Sequence, residues 1–598
     1  MLPARFSRVQ GGFSIVLNSI SGDLKKVNRK NTQSAAKVKG GSSNARGKVK
    51  IIPLGGMEQI GMNMTAIEYG NTIIVIDCGM AFADDSLLGI DLIIPDITYL
   101  KENKSKVKAF FITHGHEDHI GAVPYILKEI NAPVYGTRLT LALIYKKLEE
   151  RRQEDTAQLI TAQYGKVIKA GDISVEYVRT NHSISDAAAL AIKTPAGTLF
   201  HTGDFKVDYT PIYGDAIDLS RFAELGKEGV LAVMCDSTNA QRSGYTMSER
   251  YVGRTFEHIF AEHTKQRLII STFASNVDRV QQIINTAYKY KRKVILEGRS
   301  MLNIIEAAQE LEYIKIPKNT LISIDEMNNY PDNKIVICAT GSQGESMAAL
   351  SRMAYKTHKK INIKDGDVVV FSSNPIPGNE KAVTGVMNEL SQMGAEIIFE
   401  DTHVSGHACA EEIKLIYALL KPRYIIPVHG EFRHRKANAE IAYKMGYKPK
   451  NVLMIDTGDV LEISRGSALV TDHVQSGGIY VDNSGVEDVG RTILDDRKDL
   501  SERGVLIIAV CIHKKERIIV AGPEVFTRGW VYDGDMDNIL EEIRRIIYNA
   551  LDTYLENNHY NRGKAKMVIG EAIRRYTNID SRKGPMILPF ILEADQEI

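Results

Sequence analysis

Residues 113–120 read Thr-His-Gly-His-Glu-Asp-His-Ile and follow directly on an apolar stretch, Lys106–Ile112 (KVKAFFI). The apolar stretch predicts a strand, and a helix is expected from about Gly121. His114 and His116 are two residues apart, so an extended backbone points both imidazoles the same way. Asp118 and His119 follow on the turn into the helix. Three imidazoles and a carboxylate within six residues suit a borderline-soft divalent ion, zinc above all. Two ions need more than four donors. His182 stands in a strand exit (RTNHSISD), Asp204 ends LFHTGD and His429 ends YIIPVHGE. A lone histidine is more commonly a surface or core residue than a ligand. Here each of the three follows an apolar strand, where sheet-based sites gather, and all three are candidate ligands.

Around this centre the chain is strand-rich. Lys50–Leu54, Thr65–Tyr69 and Thr72–Asp77 read as successive strands of one sheet, and Ile173–Arg179, Ala188–Thr194, Thr198–Thr202 and Val230–Cys235 continue the pattern. Between about 245 and 390 strands alternate with helices. Arg267–Ser271, Lys293–Leu296, Ile335–Ala339 and Asp367–Ser372 are apolar runs separated by helical stretches such as Asn276–Tyr288. That rhythm predicts a parallel sheet with crossover helices. Ala395–Glu400, Tyr424–Val428 and Val452–Asp456 return to the earlier style. From about 500 a small α+β unit is expected, with strands at Val505–Val510 and Arg517–Val520 and helices at Met536–Leu555 and Lys564–Arg575.

The bulk properties agree with a multidomain globular protein. The 598 residues are 44% apolar and 25% charged, which excludes a disordered chain, a collagen-like fibre and a disulfide-dense scaffold. No apolar run approaches the ~18–20 residues needed to cross a bilayer, so no membrane partner is expected. Five cysteines, odd in number and unpatterned, read as free thiols of a reducing compartment, the cytoplasm. The net charge of +1 conceals an asymmetry. Residues 1–50 hold eleven of the 75 Lys/Arg and one of the 74 Asp/Glu, which leaves 64 against 73 in the remainder. A tail of net +10 on a body of net −9 reads as an arm that touches a polyanion, as a solvated tail, or as a targeting peptide without a secretory signal.

The motif HGHEDH with His182, Asp204 and His429 resembles the metallo-β-lactamase superfamily. The strand–helix insert after Asp236 (VMCDSTNA), followed by HVSGHA and PVHGE, is similar to its nucleic-acid-processing β-CASP branch. GGMEQIGMNM, GSQGE and SSNPIPGNE narrow the resemblance to the bacterial ribonuclease J family, from about Lys50 to the C-terminus (RKGPMILP). Met62 departs from the lysine common in the family's opening glycine loop, at a position read as peripheral to the chemistry.

The resemblance implies an αββα sandwich in two segments, 50–243 and 393–465, with an inserted β-CASP α/β domain at 244–392. An N-terminal extension (1–49), a linker (466–500) and a C-terminal oligomerisation domain (501–598) complete it. It implies two zinc ions, with manganese or magnesium as alternative working ions. His114, His116 and His182 would hold one ion, Asp118, His119 and His429 the other, with Asp204 bridging and Asp236 orienting the site. His407 is the candidate to protonate the leaving 3′-oxygen, because a metal ion cannot donate a proton. His403, Val404, Ser405 and Gly406 would shape the phosphate contacts. Gly341, Ser342 and Gln343, at a helix N-terminus, with Ser372, Ser373 and Asn374, would form a pocket for an RNA 5′-monophosphate. Asp91 and Asp482 would share a structural calcium ion. The expected activity is 5′-to-3′ exonucleolytic and endonucleolytic cleavage of single-stranded RNA by a homodimer or homotetramer, with a paralogous subunit or RNA-decay complex as further partner. A DNA-directed β-CASP nuclease and a catalytically inactive RNA-binding subunit are the alternatives.

Overall fold

The computed structural model describes residues 47–83, 87–345, 347–376, 379–482, 485–486, 491–530, 536–577 and 584–594. The basic segment 1–46 lies outside them, and with it the expected polyanion-binding arm.

Period-two alternation builds the sandwich. The strands Val49–Gly55, Met64–Tyr69 and Thr72–Ile76 are buried on both faces, and successive side chains enter different layers. Ile51, Ile67, Ile74 and Phe111 meet Val175, Leu190, Ile192, Met234 and Ile426 of a second sheet. Ile52, Ala66, Ile73 and Val75 face the other way, onto the helices Val123–Glu129 and Arg138–Glu150. The outer face of the second sheet, through Ala191, Phe200 and Val233, is covered by Leu219–Glu228, Ala410–Leu420 and Phe432–Lys444. The result is the expected helix–sheet–sheet–helix stack. Each fully buried Ile or Phe in these layers contributes roughly 1.5–3 kcal/mol.

Parallel pairing decides where the chemistry gathers. Thr72–Ile76 runs parallel to Val107–Phe111. In the second sheet Gly197–His201, Val230–Asp236 and Tyr424–Val428 are parallel neighbours. Loops leaving their C-terminal ends therefore meet at one edge of the sandwich. The inserted domain is a five-stranded parallel sheet in the spatial order 293–297, 335–339, 268–271, 368–371, 396–398. The C-terminal unit pairs Val505–His513 with Ile518–Arg528 and Met586–Ala594. The helix Met536–Asn557 sends Ile543, Ile547 and Leu551 into that unit's own core. All five cysteines are free, four of them buried, and among the described residues no helix is long and apolar enough to cross a membrane.

Four expectations need correction. The strand read at Ala395–Glu400 is Glu396–Ile398, and it pairs with Val368–Phe371, so the inserted sheet continues past the boundary set at 392. Val452–Asp456 is no strand: Val452 makes one isolated bridge to Ile425, and the strand starts at Asp459 after Gly458 turns with φ 92°. The stretch 466–500 is more than a linker. Ala468–His473 joins the first sheet, Gly478–Asp482 pairs with Leu92–Pro95, and Arg491–Arg503 is helical. Finally, the helix after Gly341–Glu345 begins only at Ala349 and spans six residues. Gly344, at φ 77°, turns the chain first, and the helix then starts against the loop, with Leu350 N donating to the Thr340 carbonyl at 2.9 Å.

Candidate metal centre

The turn 113–120 is fixed by backbone bonds before any side chain acts. Asn63 N donates to the Asp118 carbonyl at 3.0 Å, Cys78 N to His119 at 2.8 Å and Met80 N to Glu117 at 3.1 Å. A Cβ on Gly79 would sit 1.6 Å from the Asp118 oxygen, so only glycine allows this approach. The turn holds His116 as the cap of the short helix Glu117–Ile120.

Seven side chains then converge. His116 Nδ1 lies 3.1 Å from both His114 Nε2 and His182 Nε2. That is close to the edge of a tetrahedron with bonds of about 2.0 Å to zinc. The second group is Asp118, His119, Asp204 and His429. Asp204 Oδ2 stands 3.3 Å from His119 Nε2 and 3.4 Å from His429 Nε2, and 3.7 and 3.8 Å from His114 Nε2 and His182 Nε2. One carboxylate oxygen thus faces both groups.

In four of the five histidines, all but His116, the far nitrogen has its own partner, which fixes which atom points inward. His119 Nδ1 donates to Asp77 at 2.8 Å, His182 Nδ1 to the Gly406 carbonyl at 2.7 Å and His429 Nδ1 to Asn63 Oδ1 at 2.9 Å. His114 Nδ1 is 3.0 Å from the Thr113 hydroxyl. Gly406 can approach only because it lacks a Cβ, which would lie 2.6 Å from the His182 ring. His429 (φ 51°) and Asp77 (φ 59°) both take the left-handed conformation, which non-glycine residues seldom adopt and which these bonds hold in place.

The donor set fits divalent ions. His429 Nε2 is buried, aimed at Asp204, and has no hydrogen-bond partner. Burial holds the His114 and His182 rings well below the usual histidine range and His116 at about 4, so their inward nitrogens offer free lone pairs. Asp118 and Asp204 resist burial and stay ionised, held by the histidines around them. Burial also works against a charge on His119, yet the carboxylates of Asp204, Asp118 and Asp77 outweigh it and raise its pKa. A surplus of buried negative charge is what a bound cation relieves.

Sequence reasoning missed Asp77 and Asn63. Asp77 ends the apolar strand TIIVID, the same strand-end signal that singled out Asp204. It also accepts from Thr113 N at 2.7 Å and from the Thr113 hydroxyl. Asp77→Ala is expected to lower metal affinity 10–100-fold with an unchanged circular dichroism spectrum; metal titration of the purified variant checks this.

Asp236 serves two purposes. Its Oδ1 accepts from Thr238 N and Oγ1 at 2.9 and 2.8 Å, making the turn, and its Oδ2 accepts from His407 Nδ1 at 2.8 Å. Burial opposes a charge on His407, but Asp236 outweighs it and the pKa rises to about 9. Ser405 accepts from Asn239 Nδ2 and His407 N, and Asn239 also reaches the His407 carbonyl at 3.1 Å. Val404 is buried. His403 Nδ1 is buried without a partner, and burial followed by the charges of Arg279 and Arg242 holds its pKa down at about 3. A neutral ring with an unfilled nitrogen is available to a ligand.

Gly341–Gln343 and Ser372–Asn374 do meet. Gln343 Nε2 donates to Ser373 Oγ at 3.1 Å and to the Asn374 carbonyl at 2.9 Å, while its Oε1 accepts from Ile376 N. The Ser372 hydroxyl is turned to the Thr402 carbonyl, which ties this loop to the one carrying His403. Asp91 and Asp482 are neighbours through Asp91 N to the Val481 carbonyl. Asp482 is paired with Arg497, and among the described residues the two aspartates belong to no cluster of three metal-type donors.

Comparisons with known proteins agree along the chain. The family "Metallo-beta-lactamase superfamily" matches residues 61–213, "Ribonuclease J, beta-CASP domain" 265–390, "Zn-dependent metallo-hydrolase RNA specificity domain" 395–453 and "Ribonuclease J C-terminal domain" 492–594. Ribonuclease J 1 of Streptococcus pyogenes is 40% identical over 551 residues, covering 92% of this chain and 98% of that protein. Ribonuclease J2 of Bacillus subtilis is 39% identical, covering 91% and 99%. The crystal structure of a protein of unknown function from Enterococcus faecalis shares the fold over 71% of this chain and all of its own, at 17% identity and a TM-score of 0.51. The chain belongs to the ribonuclease J family and is a metal-dependent ribonuclease built from metallo-β-lactamase, β-CASP and ribonuclease J C-terminal domains.

Proposed function

We propose a two-zinc ribonuclease that degrades single-stranded RNA from the 5′ end, prefers a 5′-monophosphate and also cuts internally. The observation that carries the two-ion reading is Asp204 Oδ2, less than 4 Å from the inward nitrogens of both histidine groups. His114, His116 and His182 would hold one ion and Asp118, His119 and His429 the other, with Asp204 facing both groups. Bound divalent ions supply Lewis acidity toward phosphate oxygens and acidify water near neutral pH. The protein's own part is positioning and proton transfer. Asp236 keeps His407 charged and oriented, so that its free nitrogen hands a proton to the leaving 3′-oxygen. His403 and the Val404–Gly406 backbone contact the phosphate group, where small residues permit close approach. Manganese and magnesium are the competing working ions. The unit 501–598 supports a dimer or tetramer and association with a paralogous subunit, in the cytoplasm. A calcium ion at Asp91 and Asp482 has less support, because Arg497 already balances Asp482.

A DNA-directed nuclease has in its favour only the shared β-CASP architecture, and competition between matched RNA and DNA oligomers separates the two. An inactive RNA-binding subunit is disfavoured by the complete and convergent donor set. The test of the proposal is metal analysis of the purified protein together with cleavage of 5′-monophosphorylated and 5′-triphosphorylated RNA. Two zinc per chain and faster decay of the monophosphate are expected; equal rates would remove the 5′ preference.

The 5′ pocket has its own test. Ser342 and Ser373 are buried on facing loops joined by Gln343. Ser342→Ala with Ser373→Ala should reduce the preference for a 5′-monophosphate by roughly thirtyfold, at about 1 kcal/mol for each of the two lost hydrogen bonds, while internal cleavage changes little. Equal losses on capped and monophosphorylated substrates would place the pocket elsewhere.

A further inference from the structure

The helix Phe432–Lys444 starts three residues after His429 and leads away from the metal centre. Its inner face is committed to the sandwich: His434, Arg435, Asn438, Ala439, Ile441 and Ala442 are buried. Its outer face has an unusual composition. At about 100° per residue, Phe432, Lys436, Tyr443, Arg433 and Lys444 fall within an arc of about 120°. Phe432 is 56% and Tyr443 40% exposed, so two aromatic rings that no core requires lie in water among cations. Past the helix end, after the turn at Gly446, Lys448 is a further exposed cation. Arg433 is paired with Glu431, whereas Lys436, Lys444 and Lys448 have no carboxylate partner among the described residues. Glu440 is the one acid on this face. The body as a whole is net acidic, so a basic stripe here is a local exception. At 1.5 Å per residue the helix is about 20 Å long, enough to span several nucleotides. It also lies within 395–453, the segment matched by the RNA specificity domain.

We propose that this face is an RNA track, on which the strand beyond the cleavage site lays phosphates against Lys436, Lys444 and Lys448 and stacks bases on Phe432 and Tyr443. Charge complementarity selects a polyanion, the exposed rings select unpaired bases over a duplex, and the start of the helix beside His429 makes the stripe continuous with the site. The inference rests on the assignment as a ribonuclease. A track at this place acts on KM for long substrates and leaves the reacting phosphate alone.

The test is steady-state cleavage by the metal-loaded full chain carrying Lys436→Glu and Lys444→Glu, both at exposed positions. The substrates are a 5′-monophosphorylated tetranucleotide and a long unstructured RNA. KM for the long RNA should rise about tenfold and its log–log salt slope should fall by roughly 1.4, at ~0.7 per phosphate contact, with kcat and the tetranucleotide kinetics unchanged. Unchanged KM and slope on long RNA would overturn the track, as would an equal loss on both substrates. Unchanged RNA kinetics with lost association between copies of the chain, seen by sedimentation, would give the face to a protein partner and overturn it equally. No cleavage of either RNA by the unsubstituted protein would overturn the ribonuclease assignment beneath it.

Discussion

His116→Ala is expected to abolish RNA cleavage while the chain keeps its fold. The imidazole is half-buried at the edge of the site, and its Nδ1 is the shared apex, 3.1 Å from both His114 Nε2 and His182 Nε2. Removing it leaves that position two imidazoles and a shared Asp204 carboxylate in place of three imidazoles. Metal occupancy should therefore drop at that position. Water without metal has a pKa of about 15.7 against about 7 when bound, so the rate should fall on the order of 10³-fold or more. Metal content and single-turnover cleavage, measured with the circular dichroism spectrum, check this together. Near-normal cleavage at limiting metal would remove His116 from the ligand set.

His407→Ala is the second large effect, and it should differ in kind. The ring is held by Asp236 Oδ2 at 2.8 Å and stands 3.9 Å from Asp204, close to the ligands without belonging to either group of inward nitrogens described above. Loss of a positioned general acid costs typically 10²–10⁴-fold, and the loss should appear in kcat. Metal content should remain that of the unsubstituted protein. A variant that loses metal instead would make His407 a ligand, an arrangement that its proximity to Asp204, Asp236 and His429 permits.

The two variants separate what the site residues do, and they also mark how far the sequence reaches. HGHEDH was legible because its candidate donors are local: two histidines on one face of an extended strand and an Asp-His pair on the following turn need no distant partner to be recognised. The strand-end position of His182, Asp204 and His429 was legible for a similar reason, since an apolar run terminated by a polar donor is a one-dimensional pattern. Asp77 ends its strand in the same way and was passed over, because a carboxylate that orients a histidine carries the same local signature as one that caps a turn. Asn63 lies within the motif GGMEQIGMNM, but nothing in that stretch marked it as the partner of a histidine. Its role exists only because the loops at 63 and 429, far apart in sequence, meet at 2.9 Å.

The errors have a common physical source. Val452–Asp456 is apolar enough for a strand, yet edge pairing with Tyr424–Val428 reaches only Val452, and Gly458 delays the strand to Asp459. Glu396–Ile398 looked like part of the sandwich and is the last strand of the inserted sheet. Local propensity reports that a segment can be a strand; the partner that supplies its hydrogen bonds is chosen by tertiary contacts. The same holds for 466–500, where one strand completes the edge of the first sheet and another pairs with Leu92–Pro95 inside a small separate sheet.

By itself the sequence determined, through hydrophobic period and donor spacing, the order of strand-rich and strand–helix regions and the first four candidate metal donors. The sandwich class and the domain assignment came from the motifs' resemblance to a family. The tertiary structure alone decided that Asp204 faces both histidine groups, that Asp236 holds His407, and that a glycine at 406 brings its carbonyl to His182. Those relations join residues more than twenty to two hundred positions apart. They follow from which strands lie parallel and where their ends meet, which a linear pattern does not encode.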